Sequence, residues 1–569
     1  MPQYEGRLEL TWTNKHLRLL AHEDGRYEWV PPTDYRVAEV RLLHDVATIG
    51  DCRPNLDRSR DNLLIRGDAL HALTSLAELP EFSGRYLGKV KLCYVDPPFN
   101  TGQAFAQYDD ALEHSVWLTM MRDRLLQVRE LLAPDGSVWV HCDDSEQHRL
   151  RSVMDEVFGP SSYVATIIWR SSDNSNNDAK KFSTDHNYLV VYALSEDWTS
   201  ERLEPTPEQA SHFANPDNDP RGPWFDGNPL NSPNPRENLK YTIVSPSGVE
   251  IPPPPNGWRW SRETLEAKIA DGEIRFTPGG TGIRRRTYLN EHRGLPASSL
   301  WVDLEETGHN RQAKSELKKL FPGFPTSELF ATPKPERLIQ RILQVASKPG
   351  DIVLDFFVGT GTTAAVAMKM DRAWVGVESS VDTVAIYALP RLRKVVEGQD
   401  AGGITKSFNW SGGGGFRVLD VAPSMFEDDH GVVVLSEWAT NGALAETTAA
   451  QLGYPYADDP PFCGVRGRTR LAVIDGLVND SVVRLLVDVS TPGERVVVCG
   501  TGIDPAARVT LKNLRRGSTL RKIPASILDE YRLPGRHSGL ADMVDWVHSV
   551  DADLRADGNA DKQEPATRR

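Results

Sequence analysis

One stretch constrains this chain more than any other: Val95-Asp96-Pro97-Pro98-Phe99-Asn100-Thr101-Gly102. It follows Lys89-Val90-Lys91-Leu92-Cys93-Tyr94-Val95, a compact apolar-rich run that reads as a buried strand of an α/β sheet. Two consecutive prolines offer no ladder N–H and fix their own φ, so the strand stops at Asp96. A carboxylate, a rigid turn and an aromatic ring are thus presented together at a strand's carboxyl end, where open α/β sheets bind their ligands. Asp96 is one acceptor and the Pro97 carbonyl is a second, so the pair can grip an exocyclic amino group by both hydrogens. Phe99 supplies a flat apolar face for a planar base. An aromatic amine is a poor nucleophile because its lone pair is delocalised into the ring. Bonds to both N–H groups favour a pyramidal nitrogen and localise that pair for attack. Alone, the stretch reads equally well as an ordinary strand end with an Asp-Pro turn.

A second stretch changes that balance. Asp351 to Asp355 reads as a strand, Phe356-Phe357-Val358-Gly359-Thr360-Gly361 as a glycine-rich turn, Thr362-Thr363-Ala364-Ala365 as the start of a helix, and Ala373 to Glu378 as the next strand. Gly359 and Gly361 let the backbone approach a ligand at a helix N-terminus. Glu378 ends its strand about 20 residues on, placed to accept from ribose hydroxyls. The third glycine of the dinucleotide fingerprint is missing, so this is a nucleotide-binding half of another kind. Upstream, Asn62 to Leu73 reads as strand, turn at Gly67-Asp68, and a helix for which Asp68 is the N-cap.

The first stretch resembles the DPPY-type catalytic motif of amino-group DNA methyltransferases, with Phe99 where Tyr is more usual. Its DPPFNTG form is similar to that of modification (Mod) subunits of type III restriction–modification systems, members of the β group. The resemblance covers roughly residues 1 to 535 and implies Asp96, Pro97, Pro98 and Phe99 as catalytic residues. Asp355, Phe357, Gly359, Gly361, Thr362 and Thr363 match the D-x-F-x-G-x-G-T-T motif by which such enzymes hold S-adenosylmethionine, with Glu378 beside them. Thr332 and Lys334 stand in a segment that resembles their T-P-K-P motif, which implies a place near the donor's methionine end. The same resemblance puts Asp68 next to the donor's adenine. The Asp form of the motif points to N6 of adenine, whereas cytosine-N4 enzymes more often carry Ser.

The fold expected is a Rossmann-like class I methyltransferase sheet in permuted order, since the motif at Asp96 precedes the one at Asp355. The domains expected are an N-terminal extension (1–60), a catalytic half (61–199), a target-recognition region (200–325), a cofactor half (326–400), a small C-terminal α/β assembly domain (401–545) and a disordered tail (546–569). Proline and glycine are dense after residue 200, and Trp258-Arg259-Trp260 interleaves aromatic and basic groups. Within the C-terminal domain Leu471 to Ile474, Val482 to Val489 and Val496 to Cys499 read as strands. His141 and Asp143, at the end of another strand, read as structural. The loop from Ser171 to Asn187 reads either as solvated or as lining the extruded base or the DNA backbone.

Lys180, Lys181 and the loop residues Arg284, Arg285 and Arg286 are the candidate phosphate contacts, with a solvated surface as the alternative. The net charge of −14 argues mildly against DNA when taken alone, but nucleic acid meets only the local face. Five scattered cysteines point away from a disulfide framework or a zinc site and fit a reducing cytoplasm. No apolar run nears the ~20 residues needed to span a bilayer. No Walker-type loop is present, so ATP hydrolysis is not expected. The implied partners are double-stranded DNA, a second copy in a homodimer, and a restriction or helicase subunit. The alternatives are methylation of cytosine N4, RNA adenine or a protein glutamine, or a mainly structural, recruiting subunit.

Overall fold

The computed structural model describes residues 10–22, 26–52, 61–101, 103–104, 109–110, 112–203, 210–227, 230–291 and 294–533. Gly102 and the expected tail lie outside the described residues. Apolar runs bounded by turn residues form ten strands of one sheet among them: β1 (Leu43–Gly50), β2 (Asn62–Arg66), β3 (Val90–Val95), β4 (Leu132–Cys142), β5 (Tyr163–Arg170), β6 (His186–Ala193), β7 (Leu300–Trp301), β8 (Ile352–Asp355), β9 (Ala373–Glu378) and β10 (Gly415–Val421). Their spatial order is β7-β5-β6-β4-β3-β8-β9-β2-β10-β1. The stretch from β4 to β10 is parallel, while β6 and β5 at one side and β1 at the other run antiparallel to their inner neighbours.

The chain leaves β3 for β4 on one side and β8 for β9 on the other. Strand order therefore reverses between β3 and β8, and such a reversal opens a crevice at the carboxyl ends of the strands. Val353 pairs with Leu92 and Leu354 with Cys93, a register that brings Asp96 and Asp355 to the same edge. Helices α1 (Ala69–Glu78), α2 (His114–Leu131), α3 (Gln147–Phe158), α4 (Glu336–Ala346), α5 (Thr362–Lys369) and α6 (Leu389–Val396) accompany this sheet. Every residue of α5 is buried, so its small side chains let it lie close on the sheet.

The second compact unit is Ser200–Ser298. It holds a three-stranded antiparallel sheet (Trp224–Asp226, Ile283–Tyr288, Ile274–Phe276) and a core around Trp258, Leu265 and Ile274. The expected boundary at 325 falls earlier, because β7 pairs with β5 and so residues from 299 onward join the first unit. The expected boundary at 400 is also displaced: β10 pairs with β2 and β1 and extends the central sheet.

Beyond β10 lies a five-stranded sheet with its own core, grouped with the first unit. Val482 to Val489 is not a strand there but part of the helix Asp480–Val489. Asn479 accepts from the Val482 N–H as its N-cap, and Val483, Leu486 and Val487 are buried at helical spacing. Pro134-Asp135-Gly136 falls inside β4 at a break in its register against β3, where Val90 pairs with Leu132 and Leu92 already with Ser137. No helix among the described residues is long and apolar enough to cross a membrane.

Candidate active site

A cavity of ≈ 1340 Å³ opens at the crevice between β3 and β8. On the β3 side, Asp96 lies just past the strand, and the Lys334 ammonium stands 2.5 Å from its Oδ2. That ammonium is also 5.1 Å from the centre of the Phe99 ring, which stacks on the His141 imidazole at 5.4 Å. Burial, reinforced by the charge of Lys334, holds His141 well below the usual imidazole range, so the ring is neutral at pH 7. Its Nδ1 is 3.1 Å from the Tyr94 hydroxyl and 3.9 Å from Asp96 Oδ1. The diproline turn is pinned from outside. Trp117 Nε1 donates to the Pro98 carbonyl at 2.7 Å, and Asn100, in the left-handed region at φ 60, donates to the buried Glu146 at 2.7 Å. Pro97, Pro98 and Phe99 line the cavity with Asp96.

On the β8 side Asp355 is buried, while Glu378 is half-buried. Burial pushes the Asp355 carboxyl up to about 7; the nearby charges of Asp96 and Glu378 add to this, and bonds from Thr363 and the Phe357 N–H oppose it. Glu378 accepts from the Gly359 N–H at 2.9 Å and from the Ser380 N–H at 3.0 Å, and burial raises its carboxyl too. Gly359, at φ 50, faces the cavity, and an added Cβ would come within 3.6 Å of the Phe330 ring. Gly361, at φ 79, caps α5 against Ala388 and is not among the cavity-lining residues. Its service is to the turn. Phe357, Thr362 and Thr363 line the cavity, as do Thr332 and Lys334. Thr362 accepts from Arg391 at 2.7 Å, and Arg391 belongs to a buried ion network with Glu336, Lys369 and Asp400.

Asp68 also lines the cavity. It is the N-cap of α1, accepting from the Leu70 N–H at 2.6 Å, and it receives Arg124 at 2.8 Å. Burial pushes its carboxyl up, but Arg124 and its other partners outweigh that and hold it below the usual range. The cavity therefore brings together Asp68, Asp96 to Phe99, Thr332, Lys334, Asp355, Phe357, Gly359, Thr362, Thr363 and Glu378.

None of the basic candidates is among the residues that line this cavity. Lys180 and Lys181 are exposed in the loop between β5 and β6. Arg284, Arg285 and Arg286 are on a strand rather than in a loop. Within that unit Arg285 pairs with Glu273 at 2.7 Å, and Arg286 pairs with Asp217 and Asp219 while lying 4.3 Å over the Trp224 ring. Their charge is largely neutralised locally, whereas Arg284 is exposed. Tyr94, Trp117 and Arg124 at the site were not singled out from sequence. Tyr94 had a usable signal, since two-residue periodicity puts it on the same face as Asp96.

Residues 90–388 match the DNA methylase family model, which covers N6 and N4 methylases, and the chain belongs to that family. Among its relatives, a probable type III restriction-modification enzyme HindVI Mod subunit of Haemophilus influenzae is 29% identical over 445 residues, 66% of this chain and 56% of that protein. The type III StyLTI Mod subunit of Salmonella typhimurium is 28% identical over 350 residues, 56% of this chain and 51% of that one. The type II methyltransferase M.EcaI of Enterobacter cloacae is 29% identical over 301 residues, 52% of this chain and 62% of that protein. The chain spans about half to three-fifths of the length of these relatives.

Proposed function

We propose that this chain is an S-adenosylmethionine-dependent DNA methyltransferase that modifies N6 of a flipped-out adenine, as the modification subunit of a type III-like restriction–modification or related defence system. The observation that carries this reading is the shared cavity. An Asp-Pro-Pro-Phe strand end and an Asp–glycine turn–Glu unit face each other across the reversal between β3 and β8.

The lining suits the donor chemically. Glu378 and Asp68 are acceptors for hydroxyl and amino groups, the Gly359 turn permits close backbone approach, and Phe357 and Phe330 offer apolar faces. The donor, when bound, supplies an electrophilic methyl group. The work of the chain is to hold the amine opposite it. Asp96 and the Pro97 carbonyl grip N6, Phe99 stacks on the base, and neutral His141 backs Phe99 without adding a competing charge. Lys334 orients Asp96 through its contact at Oδ2, so entry of the amine exchanges one N–H donor for another there. Orientation and preorganised acceptors then provide the acceleration. Extruding the adenine costs a few kcal/mol, recovered from contacts in the pocket.

Adenine is favoured over cytosine by the Asp at position 96 and by the relatives named as Mod subunits. We assign the unit Ser200–Ser298 to target recognition and the lobe after β10 to assembly, with double-stranded DNA, a second copy and a restriction subunit as partners. A cytoplasmic setting accords with the buried thiols of Cys93, Cys142, Cys463 and Cys499. The test is single-molecule sequencing of DNA from a methylation-free host expressing the chain, with the Asp96→Ala chain as control. A recurring N6-methyladenine motif, lost in the control, is expected. Genomic DNA left unmodified by a chain that still binds S-adenosylmethionine would overturn the reading.

A further inference from the structure

The most exposed large apolar side chain among the described residues is Phe182, at 93%. It sits in the loop 171–185 directly after Lys180 and Lys181, which are also exposed. Such exposure of a phenyl ring is costly to maintain in water, and here the loop is braced to maintain it. Asp185 ties the loop to itself: its carboxylate accepts from Ser175 at 2.6 Å and from Ser183, and its carbonyl accepts from the N–H groups of Ser171 and Ser172 at 2.9 and 3.2 Å. The Asn176 N–H donates to the Ser183 hydroxyl at 2.6 Å, and Arg311 holds Asp173 at 2.8 Å. Both feet of the loop rest on the catalytic cavity. Asn187, near the start of β6, lines it, and so does Asn310, whose N–H donates to the Ser171 carbonyl at 3.0 Å.

A braced loop that carries an aromatic ring behind two ammonium groups, rooted at the pocket for an extruded base, has the chemistry of a probe for base stacks. Phosphates attract the lysines, and the ring can replace the stacking lost when a base leaves. We propose that Phe182 is a wedge that enters the DNA stack beside the target base and holds open the place it vacates, with Lys180 and Lys181 on the flanking phosphates. The proposal rests on the DNA methyltransferase reading above and adds to it the residue that opens the duplex.

The experiment uses the full chain and duplex oligonucleotides carrying the methylated motif found by sequencing, in two forms. In one the target adenine faces thymine; in the other it faces an abasic site, where extrusion costs least. Transfer of a tritiated methyl group is measured for the wild type, Phe182→Ala and Phe182→Trp. Phe182→Ala is expected to slow methylation of the paired duplex by roughly tenfold, the size of one lost base–aromatic stack. It should leave the abasic duplex near the wild-type rate, and Phe182→Trp should restore the paired one. An unchanged rate on both duplexes, as expected if the ring instead meets a protein partner, would overturn the wedge. So would an equal loss on both. Failure of the wild type to methylate either duplex would overturn the methyltransferase reading itself, which keeps the two failures apart.

Discussion

The two sides of the cavity hold their acids in opposite ways. At the end of β3, Asp96 is partly open to solvent and is met by a cation, Lys334, at 2.5 Å. At the ends of β8 and β9, Asp355 and Glu378 are held chiefly by backbone and hydroxyl donors, and burial raises both carboxyls. A carboxylate that must receive and release an amine benefits from a charged partner that can move aside. One that shapes a nucleotide site benefits from fixed donors that do not move. The difference separates a side built for exchange from a side built for shape, and each half of that statement can be broken by substitution.

The largest effect is expected at the exchange side. Asp96→Ala removes the acceptor for N6 and should bring methyl transfer to background, a loss of at least roughly 10²-fold by the usual size of one preorganised group. Donor binding, measured by calorimetry, should stay close to wild type. Residual transfer near the wild-type rate would break the assignment of this side.

The next effect belongs to stability. Lys369 is buried between Glu336, at 2.8 Å, and Asp400, at 2.6 Å, and the same Glu336 also binds Arg391, which holds Thr362. Lys369→Met leaves buried carboxylates with too little positive charge, and unfolding by urea should show a loss of about 3–5 kcal/mol. Lys334→Met, made at the exchange side, should lower transfer far more than it lowers stability. Equal stability losses in the two variants would mean that the Lys334–Asp96 pair serves the fold as much as the buried Lys369 network does.

A pH-dependent effect of at most comparable size is expected at Asp355. Its carboxyl stands at about 7 in the folded chain against an ordinary value of 3.8. The folded state therefore binds more protons than the unfolded one between these values, so this group's contribution is full below pH 4 and declines as pH rises toward 7. Each unit of that interval is worth roughly 1.4 kcal/mol, as an upper figure for a single group. Asp355→Asn should remove the decline, so that thermal scans of variant and parent diverge in the variant's favour between pH 4 and 7. Parallel curves would mean that the acid is as well solvated as an ordinary carboxyl.

How much of this was legible in the sequence follows from how local each signal is. Asp96 with its two prolines, the turn at Gly359 and Gly361, and Glu378 at the end of its strand are read from neighbours in the chain, and the cavity gathers all but Gly361. The Lys334–Asp96 pair joins residues 238 positions apart, and no local pattern announces it. His141 read as a structural strand-end group, and only the packing of β4 beside β3 shows that its ring backs Phe99. Val482 to Val489 has strand composition and helical burial, and an Asn cap settled the matter. Arg285 and Arg286 looked like a free basic cluster because their acidic partners, Glu273, Asp217 and Asp219, come from other turns of the unit.

The smallest effect tests the finest point of the exchange side, the aromatic position itself. Phe99 stacks on His141 at 5.4 Å with the rings 28° apart, and Lys334 lies 5.1 Å from its centre. A tyrosine keeps that face and adds a hydroxyl, so Phe99→Tyr should leave the transfer rate close to wild type. Phe99→Ala should cost about the 1–3 kcal/mol of a lost base–aromatic stack. Single-turnover rates at saturating DNA measure both. If Tyr were as damaging as Ala, the face would not be what the position supplies, and the fit of the ring between His141 and Lys334 would be the property that matters.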